Sequence, residues 1–234
     1  MSVDGDSALR GARPKGRPLP EEVASHVREL ILSGTVRPGE YLRMDRIAEA
    51  VNVSNTPVRE GLLILRSQGF VRLLPRRGFV VAPFTKQDVR DLFWAQAILA
   101  GELAARAAKR ITAEQLARLG HILYAYEAAF AADDETMIVD LSHAYHREIN
   151  LAADSIRLAT LLDSAVKTLP SRFYATIDGR IDETRHEHPE IVDALREAHA
   201  KKARRLMEHH ISRGADRLIE MLETRGLWIE PQAS

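Results

Sequence analysis

Apolar side chains return at Val23, Val27, Leu30 and Ile31, the spacing of one helical face, and Gly34 follows as a stop signal. Arg37-Pro38-Gly39-Glu40 reads as a turn into a short extended stretch, Tyr41-Leu42-Arg43. Ile47, Ala48 and Val51 mark a second, short helix over residues 44–51, and Asn52 suits an end in the left-handed region. A third helix opens at Ser54, whose hydroxyl can accept a bond from a free N–H of the first turn, and Pro57 falls where a missing N–H costs little. It runs through Val58, Leu62, Leu63 and Leu65 and stops at Gly69. So short a connection forces the second and third helices to cross and pack, as in a helix-turn-helix. Residues 70–74 and 79–81 then read as two strands around Pro75-Arg76-Arg77-Gly78, a hairpin with cations at its tip.

From Thr85 onward the period is helical throughout. Thr85 caps a helix reaching about Arg110, with Val89, Leu92, Phe93, Ile98, Leu99 and Leu103 inward, and Thr112 with Gln115 forms a capping box for the next, which ends near Ala132. Further helices are expected from about Asp134 to Ala153, from Ile156 into Tyr174, around Pro189 to Ala198, and from Lys201 to Glu223. The predicted fold class is mainly α. A winged helix-turn-helix with a small β-hairpin fills residues 19–83, and an all-α bundle of about six helices fills residues 84–226. A flexible basic arm (1–18) and a frayed tail (227–234) flank them.

Composition narrows the class. The chain of 234 residues is 45% apolar and 28% charged, enough for two modest cores. It has no cysteine, which removes disulfides, thiolate metal sites and cysteine nucleophiles and agrees with a cytoplasmic setting. No apolar run approaches the roughly 18 residues of a membrane span, and no signal-peptide core is present, so no membrane partner is expected. The zero net charge conceals a split: residues 1–83 carry 13 Lys and Arg against 9 Asp and Glu, and residues 84–234 carry 20 against 24. That sign suits a front half that meets phosphate. In the arm, Arg10, Arg13, Lys15 and Arg17 have almost nothing to bury and would add non-specific phosphate contacts at most.

Two groups of residues carry chemistry. The first turn of the third helix presents Asn55, Thr56 and Arg59, short polar groups and a cation that suit base edges and phosphates. The second half holds His143, His146, His186, His188, His209 and His210, and imidazole is the commonest ligand of transition metals. Neighbours such as His209 and His210 point to different faces, so at most one of them looks inward.

The stretch from Leu30 through Gly34 to Pro38-Gly39, then Ile47-Ala48, Val53-Ser54, Thr56-Pro57-Val58-Arg59-Glu60, Leu65, Gly69 and Arg77-Gly78, resembles the DNA-binding domain of GntR-family transcription regulators. The resemblance implies contacts to double-stranded DNA from Ser54, Thr56 and Arg59 and a wing tip of Arg76, Arg77 and Gly78. Arg43 and Asn55 complete the candidate set. Family members usually place an arginine after the serine. Asn55 stands there in this chain, and asparagine pairs with adenine where arginine pairs with guanine, so the operator should depart from the family's at that base pair.

The helical part resembles the FCD ligand-binding domain of the FadR subfamily, in which many members bind a divalent metal through one aspartate and three histidines. Tyr145-His146-Arg147, Glu187-His188 and Glu208-His209-His210-Ile211 match the histidine positions, which makes His146, His188 and His210 the candidate ligands for zinc or nickel. The aspartate expected four residues before the first histidine is Ser142. Three readings stay open: a metal on three histidines with water and Ser142, a substitute ligand from His143 or Asp140, or histidines that bind an anionic effector directly. The arginine and glutamate usual on the domain's first helix correspond to Gln96 and Ala100, so the candidate effector residues are Gln96, Ser142 and Arg172. The resemblance further implies a homodimeric repressor on an inverted-repeat operator, released or engaged by a small molecule such as an organic acid. The alternative from another class is a hydrolase with a metal-bound water on the three histidines, for which Glu187 and Glu148 are the available bases.

Overall fold

The computed structural model describes residues 18–170, 173–174, 182–224 and 228, with residues 182–185 as backbone. It divides into two compact units, one of residues up to 31 together with 36–82, the other of residues 32–35 and those from 83 onward. Arg172, residues 1–17 and the tail apart from Trp228 lie outside the described residues.

The first unit contains α1 (Leu19–Leu32, counted to Ile31 in this unit), β1 (Tyr41–Leu42), α2 (Met44–Val51), α3 (Asn55–Ser67), β2 (Val71–Leu74) and β3 (Gly78–Val81). Val23, Val27 and Ile31 of α1 are buried, as are Ile47 of α2, Val58, Leu62 and Leu65 of α3, and Phe70, Val71, Phe79 and Val81 at the sheet. Removing each such side chain from water contributes about 1.5–3 kcal/mol, which is what holds three short helices on a small sheet. Asn52 ends α2 at φ 54°, ψ 55°, and Gly69 follows α3 at φ 83°, where the Phe70 N–H returns to the Leu65 carbonyl at 3.0 Å. Where α3 meets α1, a Cβ on Gly61 would stand 2.7 Å from the Pro20 carbonyl oxygen and 2.8 Å from Val23, a separation that only glycine permits.

Two expectations change here. Ser54 occupies the N-cap of α3 with an extended backbone (φ −78°, ψ 170°), but its hydroxyl makes no capping bond. Ser54 is at the surface, where water competes for that bond. The hairpin also gains a third strand: β1 pairs antiparallel with β3 (Tyr41↔Val80, Leu42↔Phe79), giving the order β1-β3-β2. A two-residue strand has no periodicity of its own, so only its pairing reveals it.

The second unit contains α4 (Lys86–Ala107), α5 (Ala113–Ala131), α6 (Glu135–Ala152), α7 (Ile156–Val166), α8 (Asp182–Arg196) and α9 (Ala200–Thr224), six helices among the described residues. The Thr112–Gln115 capping box forms (3.0 and 3.2 Å), and the expected Thr85 cap is itself a capping box, with Asp88 (2.7 and 3.2 Å). The core joins Leu103, Ala104 and Ala107 of α4, Leu119 of α5, Tyr145 and Ile149 of α6, Leu162 of α7, Ile191 and Leu195 of α8, and Ala203 and Met207 of α9. α4 packs most extensively on α9. A Cβ on Gly101 would stand 2.5 Å from Glu208 Cγ, so the glycine makes room for the Glu208 side chain between the two helices.

Four helical expectations are corrected. α7 stops at Val166 and does not run on into Tyr174, because Pro170 disfavours the helical conformation of the residue before it. α8 begins at Asp182, and Pro189, read as its start, sits inside it with one backbone hydrogen bond missing. Ile98, expected inward, is 45% exposed. Trp228, placed in a frayed tail, stacks near Phe84 with centroids 6.3 Å apart and donates its indole N–H to the Ile219 carbonyl at 3.3 Å.

Candidate DNA-binding surface and three-histidine centre

In the first unit, Arg43, Ser54, Asn55, Thr56, Arg59, Arg76, Arg77 and Gly78 are all exposed. The inward face of α3 is taken by Pro57, Val58, Gly61, Leu62 and Leu65, and this periodicity leaves Asn55, Thr56 and Arg59 outward at its N-terminal end. At that end the free backbone N–H groups and the helix dipole favour a phosphate, and the side chains lie where base edges can be reached. The wing tip is a tight turn with Arg76 at φ 62° and Gly78 at φ 88°, which presents both arginines to solvent. Arg43 precedes α2 and pairs loosely with Asp45 at 3.5 Å.

In the second unit, three helices distant in sequence each contribute one imidazole. His210 belongs to the buried row of α9 with Ala203, Met207 and Gly214, while His209 beside it is exposed. His188 of α8 is 1% exposed. His146 is part-buried on α6, next to Tyr145 and one turn beyond Ser142, both of which are buried. The Nε2 atom of His210 lies 3.3 Å from Nε2 of His188 and 3.4 Å from Nε2 of His146. The three ligand atoms all fall within 4.8 Å of one another.

The two separations from His210 can be compared with those of ligands that share one ion. Two nitrogens each about 2.0–2.1 Å from one ion are about 3.3 Å apart at a tetrahedral angle and about 2.9 Å apart at a right angle. The two pairs that His210 makes match the first, and the His146–His188 pair, within 4.8 Å, has to close to about 4.1 Å or less before one ion can touch all three rings. Burial, then the neighbouring imidazoles, push His146 down to about 3 and His188 well below its usual value, so both keep lone pairs at neutral pH. The donor set therefore fits a divalent ion of the zinc or nickel kind.

The surroundings hold the rings in place. Tyr145 stacks on His188 (centroids 4.1 Å, 22°), and its hydroxyl donates to the His188 carbonyl at 3.0 Å. Tyr126 meets His188 edge-on at 5.7 Å. Glu187 accepts from Nδ1 of His210 at 2.8 Å and from Arg213 at 2.8 Å. Burial opposes ionisation of Glu187, but the His210 hydrogen bond and nearby positive groups outweigh it and leave its carboxyl below the usual value. Nδ1 of His188 finds no hydrogen-bond partner among the described residues.

Other candidates take different places. His143 and Asp140 are exposed, stand outside the cluster, and line a surface groove with Ile122, Arg147, Glu148 and Leu151, so neither substitutes for the missing aspartate. Ala100 is buried in the bundle core. Gln96 is 1% exposed, and its amide donates to the Ala165 carbonyl at 3.3 Å and to the Tyr174 hydroxyl at 3.1 Å. Glu148 accepts from Arg118 at 2.7 Å, and Glu187 faces Nδ1 of His210, not the Nε2 convergence, so neither is placed as the base that a hydrolase needs. Sequence reasoning considered Glu187 only in that role. Its adjacency to His188, and Arg213 one turn beyond His210, were the available signals of the role it has.

A winged helix-turn-helix followed by a helical bundle with an internal histidine cluster defines a ligand-responsive DNA-binding regulator. Residues 19–81 match the model described as bacterial regulatory proteins, gntR family, and residues 91–213 match the FCD domain. The chain belongs to the GntR family of transcription regulators, with an FCD domain as its second part. It is 23% identical to the Uxu operon transcriptional regulator of Escherichia coli (strain K12) over 244 residues, 95% of each chain. It is 26% identical to the gluconate operon transcriptional repressor of Bacillus subtilis (strain 168) over 214 residues, covering 90% of this chain and 86% of the repressor. The solved structure of E. coli McbR/YncC aligns with a TM-score of 0.59 at 22% identity, over 90% of this chain and all of that one, a likeness of fold. The protein is thus a DNA-binding transcription regulator whose FCD domain has the effector-binding role.

Proposed function

We propose that this regulator is a homodimeric, cytoplasmic repressor in which residues 19–83 read an inverted-repeat operator and residues 84–226 hold the effector and the dimer contacts. In this reading Ser54, Asn55, Thr56 and Arg59 enter the major groove, Arg43 contacts the backbone, and Arg76, Arg77 and Gly78 form the wing contact. His146, His188 and His210 hold a divalent metal whose open positions receive the effector, an organic acid or similar donor, beside Ser142 and Gln96. The approach of His188 and His146 to Nε2 of His210, with one ligand nitrogen from each ring inside 4.8 Å, carries the metal assignment. The resemblance to a named gluconate operon repressor supports the repressor sign, and the absence of any helix long and apolar enough to cross a membrane, among the described residues, is consistent with the cytoplasmic setting.

An effector acts here only by differential affinity for the DNA-competent and DNA-incompetent arrangements. Elemental analysis of protein equilibrated with zinc or nickel and then desalted tests the centre. About one ion per chain is expected, lost in His188→Ala and His210→Ala. A wild-type content near zero would overturn the metal assignment.

A further inference from the structure

The three imidazoles do not reach their shared point in the same way. His188 is placed by rings, with Tyr145 stacked on one side and Tyr126 edge-on. His210 lies at the middle of the cluster, since its Nε2 is the atom close to both of the others. A histidine ring offers its lone pair from one nitrogen and its proton from the other, so the bond made at Nδ1 decides what Nε2 presents. The partner of His210 Nδ1 is one oxygen of Glu187, and the other oxygen of Glu187 is bonded to Arg213. A carboxylate paired with a guanidinium is an acceptor on both oxygens. The ring nitrogen facing it must carry the hydrogen.

We infer that Glu187, held by Arg213, is the positioning residue of the histidine centre: it fixes His210 as the Nδ1–H tautomer and so aims the Nε2 lone pair at the point where His146 and His188 converge. The pair Glu187 and Arg213 ties α8 to α9, so one clamp sets both the tautomer and the ring orientation of the central ligand. Outer partners of this kind typically change metal affinity 10- to 100-fold when removed. The role of Glu187 in metal affinity rests on the metal assignment proposed above, whereas its role in the tautomer does not.

Two readouts separate the claims. Long-range 15N–1H correlation on metal-free wild-type protein should show His210 as the Nδ1–H tautomer, and Glu187→Ala should shift it towards Nε2–H or a mixture. Zinc titration should then show a 10- to 100-fold weaker association in Glu187→Ala, with partial recovery in Glu187→Asp. A wild-type His210 found as Nε2–H overturns the inference even if the variant fails to fold. So does a Glu187→Ala protein whose His210 tautomer is unchanged and whose zinc affinity is within twofold of wild type. If wild-type protein takes up no metal yet His210 follows Glu187, the clamp stands and the metal assignment alone falls.

Discussion

At the scale of single residues, the DNA reader proposed above is a set of exposed side chains at the start of α3, and in that proposal its specificity turns on Asn55 and Arg59. Duplexes selected from a random pool should carry adenine opposite Asn55, and on such a duplex Arg59→Ala should weaken binding by about 1–3 kcal/mol in fluorescence anisotropy. Unchanged affinity at moderate salt would show that α3 does not dock by this end. The histidines give a second residue-level outcome. His146 titrates at about 3 in the fold, against about 6.5 in an unfolded chain, so between those values the unfolded state binds the proton that the folded state refuses. Stability is therefore fully present above about pH 6.5 and is lost as pH falls, and the urea midpoint of metal-free protein should drop between pH 7.5 and 5. His146→Gln should make that slope shallower; an unaltered slope would mean that His146 is not the group responsible. The sequence placed these residues but not their convergence. Spacing along three separate helices says which face each histidine occupies and nothing of where the helices meet, and it was the family resemblance that grouped the three. Glu187 was visible only as a neighbour of His188, because its bonds to His210 and Arg213 cross between helices.

At the scale of elements, legibility followed how local the determining physics is. Thr85, Thr112 with Gln115, Asn52 and Gly69 act within one turn of chain, and the structure has each where the sequence puts it. β1 was legible as a short extended stretch, but its pairing was not, because its partner lies almost 40 residues away. The two prolines misled in opposite directions: Pro170 closes a helix that apolar spacing predicts to continue, and Pro189 lies inside a helix that it was read as opening. Gly61 also went unread, since nothing local distinguishes a glycine needed for a crossing from one merely tolerated. Gly61→Ala should push α3 off α1 and destabilise the winged unit by about 1–3 kcal/mol, measured by denaturant unfolding. The gain in helix propensity from glycine to alanine is about 1 kcal/mol at most and opposes this, so a stabilised variant would show that the crossing relaxes freely.

At the scale of the whole molecule, two compact units divide the work of a family whose members couple a DNA reader to an effector domain. This chain contains no cysteine, so no covalent bridge joins its distant segments. The nearest equivalent is the meeting of His146, His188 and His210, which brings α6, α8 and α9 to one point although the outer two lie 64 residues apart along the chain. Anything gripped by all three would act as a detachable staple, closing a long loop that the unfolded chain leaves open. Such a staple is indifferent to oxidants and reductants and yields to acid and to chelators, so the reagents that loosen this bundle are those that compete for nitrogen lone pairs.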